Sequence, residues 1–215
     1  ESAHQAAAET VDVIVVGAGI IGLSLARELR KTGRTVLVVE RGEPGREASH
    51  AAGGMLVNSG DEGSEALRPL ADASAQMYPE FVFELQDESG FHIDWRSNGT
   101  ICFPAAGQSP TSGPSAKYLT PAQINELEPA LSPVSRSAVF LSESCVDPRD
   151  LVRACQEAAK HRGVNFSSGD PVTSINISDS HVTGLTTTKT SFSSEVVVNC
   201  AGAWAGEFAP LSFPT

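Results

Sequence analysis

The stretch VDVIVVGAGIIGLSLARELRKTGRTVLVVE, residues 11–40, constrains this chain more than any other part of it. VDVIVV (11–16) is a β-branched run suited to a strand buried on both faces of a parallel sheet. GAGIIG (17–22) follows at once and sets Gly17, Gly19 and Gly22 in G-x-G-x-x-G spacing. Beyond it Ile21, Leu25 and Leu29 recur on one helical face, and Gly33 marks the stop. TVLVVE (35–40) is a second buried-strand run, and it ends in an acid. A strand, a glycine turn, a helix and a second strand in this order predict a βαβ unit built to hold a dinucleotide.

Each part of that unit has a physical task. Gly17 permits the tight turn from strand to helix, Gly19 lets a pyrophosphate approach backbone N–H groups, and Gly22 lets the helix lie close on the strand. The helix N-terminus adds partial positive charge for the phosphates. Glu40 stands 18 residues past Gly22, where an acid can grip ribose hydroxyls. NAD and FAD share this fingerprint. Glu40 argues against a 2′-phosphate and so against NADP. Arg41 follows the acid rather than replacing it.

The next segment separates the two cofactors. NAD domains continue from the acidic strand into another helix and strand, whereas this chain enters RGEPGREASHAAGGML (41–56). Gly42, Pro44 and Gly45 enforce a turn. GREASHAAGGML (45–56) is too glycine-rich for a good helix and too poor in β-branched residues for a strand. It is either a flexible linker or a place where backbone lies along a planar ring.

The pattern VIVVGAGIIGLSLARELRKTGRTVLVVER, then GREASHAAGGML, resembles the glycine oxidase branch of the D-amino-acid oxidase family, FAD-dependent amine oxidases that include sarcosine oxidases. The likeness continues through GFHIDWRSNGTICF (90–103), similar to the family's first substrate-domain hairpin. LTPAQINELEPAL (119–131) is similar to its short helix, and DPRDLVRACQEAAKHRGVNF (147–166) to the helix leading back to the FAD domain. EVVVNCAGAWAG (195–206) is similar to a late FAD-domain strand with its Gly-Ala-Trp turn. The resemblance implies an α/β fold: an FAD-binding, Rossmann-like domain plus part of an α+β antiparallel-sheet substrate domain. Its segments would be a disordered 1–10, an FAD-binding 11–90, a substrate-domain 91–145 and a second FAD-binding segment 146–215.

The family's FAD contacts carry over position by position. Gly17, Gly19, Ile20, Ile21 and Gly22 form the pyrophosphate turn, and Glu40 and Arg41 reach the adenosine ribose. Ala48 and Ser49 approach the ribityl–pyrophosphate region, and Gly53, Gly54 and Met55 the isoalloxazine. Val172 matches a residue whose backbone flanks the adenine, and Ala201, Gly202 and Trp204 match the turn closing over the adenosine end. The family often has two small hydroxyl residues where this chain has Ala48 and Ser49, so only Ser49 keeps the hydroxyl.

The implied activity is oxidation of the C–N bond of a small amino acid (glycine, sarcosine or a D-amino acid) by hydride transfer to flavin N5, with dioxygen or another acceptor taking the electrons. The imine would hydrolyse to a 2-oxo acid with ammonia or amine. Residues 57–61, VNSGD, depart from the smaller residues common in glycine oxidases and argue against glycine as the preferred substrate. The residues that pair with substrate lie in the family's later part, so no catalytic residue is assigned, and a second chain carrying that part would complete the fold. The alternative is an FAD-binding fragment or non-catalytic subunit that acts through a partner chain. An NAD-linked dehydrogenase fits less well.

Composition sets the outer limits. With 15 Lys+Arg against 26 Asp+Glu, the net charge of −11 argues against nucleic-acid and anionic-membrane partners. No apolar run approaches the roughly 18 residues of a membrane span. The first ten residues, ESAHQAAAET, lack the basic and apolar regions of a signal peptide, and no cysteine pair has zinc-ligand spacing, so no metal is expected and Cys102, Cys145, Cys155 and Cys200 are read as reduced, mostly buried thiols of a cytoplasmic protein. The pattern at 62–90 predicts a helix broken or kinked at Pro79, with Met77, Tyr78 and Phe81 in the core. Residues 103–121 read as a mobile surface loop, and 181–200 as a hairpin turning near Thr188–Lys189.

Overall fold

A computed structural model of the protein describes residues 9–57, 65–104 and 116–207. The chain starts with β1 (Glu9–Thr10) and β2 (Val13–Val16), turns into α1 (Ile20–Lys31) and returns as β3 (Val36–Glu40). There follow α2 (Ala48–Ala51), β4 (Met55–Leu56), α3 (Arg68–Ser89), β5 (Trp95–Arg96) and β6 (Thr100–Cys102). Next come β7 (Ala116–Leu119), α4 (Pro121–Leu127), β8 (Ala138–Leu141), β9 (Ser144–Val146) and α5 (Pro148–His161). β10 (Asn165–Ser168), β11 (Val172–Ser178), β12 (His181–Thr187), β13 (Ser191–Ser193), β14 (Val197–Asn199) and a 3₁₀ turn, Gly202–Glu207, complete the described chain. It divides into two compact units: Glu1–Ala52, Glu84–His92 and Pro148–Thr215 form one, Gly53–Phe83 and Ile93–Asp147 the other.

The first unit is a mixed α/β body built on a parallel sheet in the order β10-β3-β2-β14. The uninterrupted Val/Ile/Leu runs of β2 and β3 are buried on both faces, as a covered parallel strand requires. One face carries Val15 against α1; the other carries Ile14, Val16, Leu37 and Val39, which join Leu185 and Phe192 in a shared core. Those last two come from a second sheet, β1-β13-β12-β11, whose β11, β12 and β13 are antiparallel. Burying each such side chain contributes about 1.5–3 kcal/mol. The hairpin expected within 181–200 is present, turning between Thr187 and Ser191.

The second unit is antiparallel. β4-β9-β5 and β6-β8-β7 are three-stranded sheets, and a small core of Leu119, Ile124 and Ala138 lies under α4. A capping box starts α4: the Thr120 hydroxyl accepts from Gln123 N–H while the Gln123 side chain accepts from Thr120 N–H.

Several sequence expectations need correction. The hairpin expected within 90–103 does not close on itself: β5 pairs with β9, and β6 with β8. The break falls at Gly99, whose φ of +84° turns the chain and whose missing Cβ leaves room for the Phe140 ring. Within 103–121, Ala116–Leu119 is a strand paired with β8, while 105–115 lie outside the described residues, as do 58–61 of VNSGD. GREASHAAGGML contains one helical turn and a two-residue strand. α3 continues through Pro79, forfeiting one N–H donor rather than breaking. Its core residues are Val82 and Leu85, and Met77 is 68% exposed. α1 buries Gly22, Leu23, Ala26 and Arg27 rather than the Ile21–Leu25–Leu29 stripe, because small residues let the helix settle on the sheet. All four cysteines are free, and only Cys155 is buried.

Candidate functional site

The site grows from the turn between β2 and α1. Gly17 has φ of +101°, and a Cβ there would stand 2.5 Å from the Cys200 carbonyl oxygen. The turn is pinned on both sides, by Gly17 N–H donating to Val39 O and Cys200 N–H donating to Val16 O, each at 2.8 Å. A Cβ on Gly22 would stand 2.0 Å from Gly17 O, so this third glycine seats the helix rather than lining a pocket. α1 carries no acidic residue in its own first turn. The Ser49 hydroxyl, from α2, accepts the Ile20 N–H at 3.0 Å.

Glu40, the last residue of β3, spans the same turn. One carboxylate oxygen accepts Ala18 N–H at 2.8 Å and the other accepts Gly42 N–H at 2.9 Å. An ionised carboxylate accepts only, so its remaining lone pairs suit hydroxyl donors and repel a phosphate. Arg41 points a different way. Its guanidinium lies 3.6 Å from the centre of the Trp204 ring and pairs with Glu47 at 2.9 Å.

These groups surround a cavity of about 720 Å³ at the carboxyl ends of the parallel strands, where open α/β sheets take ligands. Gly17, Gly19, Ile20, Ile21, Glu40, Arg41, Ala48, Ser49, Val172, Ala201, Gly202 and Trp204 line it. A helix end and a glycine turn can meet phosphates, a fixed carboxylate can accept from hydroxyls, and apolar walls can lie along a flat base. Among the described residues no histidine lines the cavity, and burial pushes the Cys200 thiol up.

Gly22 lies behind the cavity wall. Gly53, Gly54 and Met55 fall in the second unit, where Met55 pairs with Cys145 and Gly54 O accepts from Val146 N–H at 2.9 Å. A Cβ on Gly53 would meet nothing in the chain within 4 Å. The cavity is also lined by residues that the motifs do not single out, among them Glu47, Cys200 and Pro171. Behind Pro171, buried Asp170 accepts from Ser167 Oγ at 2.7 Å and Lys189 N–H at 3.2 Å, fixing the strand start that carries Val172. The run GDP (169–171) was the available signal, a turn sequence directly before a strand. Among the described residues no helix is long and apolar enough to cross a membrane.

Comparison with known proteins gives this geometry relatives. The family model described as FAD dependent oxidoreductase, DAO, matches residues 12–215. The bifunctional protein ThiO/ThiG of Trichormus variabilis is 31% identical over 212 residues, covering 94% of this chain and 32% of that protein. The glycine oxidase of Geobacillus kaustophilus is 32% identical over 208 residues, covering 90% of this chain and 55% of that protein. The crystal structure of glycine oxidase from Geobacillus kaustophilus superposes with a TM-score of 0.81 at 29% identity, over 92% of this chain and 57% of that one. The chain thus spans about half the length of the glycine oxidases it matches and a third of ThiO/ThiG.

Proposed function

The chain belongs to the DAO family of FAD-dependent oxidoreductases, and from that premise we propose that its first unit holds the adenosine-diphosphate half of FAD in the cavity. The residues present fit the group. Gly17 makes the tight turn and Gly19 puts no side chain on the cavity wall, so a diphosphate can approach; the α1 N-terminus faces it, and the pinned Glu40 carboxylate accepts ribose hydroxyls. The Ser49 hydroxyl, having accepted Ile20 N–H, can donate its own proton to a phosphate oxygen. Val172, Ala201 and Gly202 wall the base; for Gly53, Gly54 and Met55 only the resemblance to the family supports a place along the flavin ring. The observation that carries the reading is Glu40 bridging the glycine turn from the end of β3.

The whole protein, on this reading, oxidises the C–N bond of a small amino acid or amine in the cytoplasm. Bound FAD supplies the two-electron acceptor for such a reaction. This chain's part is to fix the nucleotide and exclude water from it. The hard step of such a reaction belongs to the cofactor. A second reading is an FAD-binding chain that works only with a partner. Both are tested by the visible spectrum of the natively purified protein, before and after anaerobic addition of glycine, sarcosine or D-alanine. A flavin band that bleaches supports the oxidase, one that persists with every amine supports the binding chain, and absence of any flavin band rejects both.

A further inference from the structure

We propose that Trp204 is a positioning residue: its ring holds the Arg41 guanidinium in the cavity wall, ready to meet the diphosphate of an adenine nucleotide. The inference rests on the reading of the cavity given above and assigns a task to a contact within it. Arg41 carries a long side chain with about 2 kcal/mol of rotamer entropy, and it follows directly on Glu40. Two groups restrain it. Glu47 does so through an ion pair in which both side chains are well exposed, 41% for Arg41 and 59% for Glu47. Such a pair is weak and screened by salt. Trp204 does so through its face, with the Arg41 carbon 3.6 Å from the ring centre.

The two restraints differ in how firmly they are themselves held. Glu47 is a solvated side chain at the start of α2. Trp204 sits on a turn stapled from below. The Asn199 side chain accepts Ala201 N–H at 3.1 Å and donates to Ala205 O at 2.9 Å, closing the turn from the end of β14. Trp204 N–H completes it by donating to Ala201 O at 3.1 Å. The ring therefore has a fixed address, and the guanidinium laid on it inherits that address. A diphosphate, bearing more charge than one carboxylate, would displace Glu47 from Arg41 without disturbing the stack. Glu47 is the exchangeable partner and Trp204 the permanent one.

The test is calorimetric titration of the flavin-free chain with ADP, its fold checked by circular dichroism. Trp204→Leu should weaken ADP binding about three- to tenfold, whereas Trp204→Phe, which keeps an aromatic face, should stay within about twofold. In an Arg41→Met background the cost of Trp204→Leu should vanish, because the ring then has no cation to hold. Glu47→Gln should leave ADP binding unchanged or tighten it. The chain has two tryptophans, so an emission change on ADP addition should survive Trp95→Phe and disappear in Trp204→Leu. A Trp204→Leu cost that persists undiminished in Arg41→Met, or no cost at all, overturns the proposal. Should Trp204→Leu fail to fold, Arg41→Lys keeps the charge but loses the flat stack, and unchanged ADP affinity there overturns it equally. An unsubstituted chain that binds neither ADP nor FAD rejects the underlying reading of the cavity, which the double substitution alone would not.

Discussion

The Glu88 carboxylate is shared by Arg27 and Arg162: Arg27 Nε and Arg162 Nε donate to one oxygen at 2.8 and 2.9 Å, and an Nη2 of each reaches the other. Arg27 is fully buried on α1 and also pairs with Glu84 and Glu28, each at 2.7 Å. The cluster thereby fastens the helix behind the glycine turn to the Glu84–His92 segment and to the end of α5. Removing one member of such a set strands a buried charge, so Glu88→Ala should cost about 3 kcal/mol of unfolding free energy in urea. An unchanged denaturation midpoint would mean the cluster is a surface ornament.

The same cluster sets an acid limit. Burial alone would push the Glu88 carboxyl up, but hydrogen bonds from Arg162 and Arg27 outweigh it and hold the group at about 2, below its ordinary 4.5. A carboxyl depressed by folding contributes stability in full above its ordinary value and loses it as pH falls through the folded value. The melting temperature should therefore fall between about pH 4.5 and pH 2, and less steeply in Glu88→Ala. Parallel curves for the two proteins would sink this account.

Glycine substitutions should separate seat from surface. Gly17→Ala puts a Cβ against the Cys200 carbonyl at a left-handed φ, and Gly22→Ala puts one 2.0 Å from Gly17 O. Both contacts are with backbone, so both variants should lose several kcal/mol of stability and all nucleotide binding. Gly53→Ala meets nothing in the chain, so its melting temperature in flavin-free form should match the unsubstituted protein. If Gly53 lies along the flavin ring, the added methyl should shift the visible spectrum of the loaded protein. A silent spectrum would remove Gly53 from the assignment.

How far the sequence reached is visible in these same residues. The G-x-G-x-x-G spacing and Glu40 were legible because a strand–turn–helix leaves a local signature, and the cavity forms around them. The buried face of α1 departs from its apolar periodicity, which marks where Ile21, Leu25 and Leu29 recur, because close packing selects Gly22 and Ala26 and an ion cluster selects Arg27. Arg27 and Glu88 are 61 positions apart, and nothing local announces that a buried cation will find its carboxylates there. Trp204 over Arg41 is equally non-local: the sequence offered the turn but not the ring's neighbour. The bent ladder at Gly99 escaped notice because β5 and β6 each take their partner from beyond α4.

Thiol chemistry offers an independent check on burial. Cys145 is exposed, whereas burial pushes the Cys155 thiol up to about 11 and encloses it. Thiolate is the reactive form, so at neutral pH a maleimide should label Cys145 first and Cys155 only on unfolding. Cys200 lines the cavity with its thiol likewise raised by burial. Its slow labelling should become slower still with ADP or FAD, read by peptide mass spectrometry. Protection of Cys145 with Cys200 unaffected would place the ligand elsewhere.

The sharpest test of the cavity is Glu40→Gln. The carboxylate accepts two backbone N–H groups, one from Ala18 and one from Gly42. An amide of the same size can accept only one, and turns its own N–H₂ toward the other donor. Leaving such a donor unmet costs about 1–3 kcal/mol of stability, and the neutral amide accepts a ribose hydroxyl more weakly than a carboxylate, so ADP should bind about tenfold more weakly. The loss of negative charge acts in the opposite direction on a 2′-phosphorylated nucleotide, which the Glu40 carboxylate should repel in the unsubstituted chain. The ratio of the dissociation constants for 2′-phospho-ADP and ADP, large in the unsubstituted chain, should therefore shrink in Glu40→Gln. Were the unsubstituted chain to bind both nucleotides equally, Glu40 could not be gripping the ribose, and its two hydrogen bonds would serve only to shape the turn.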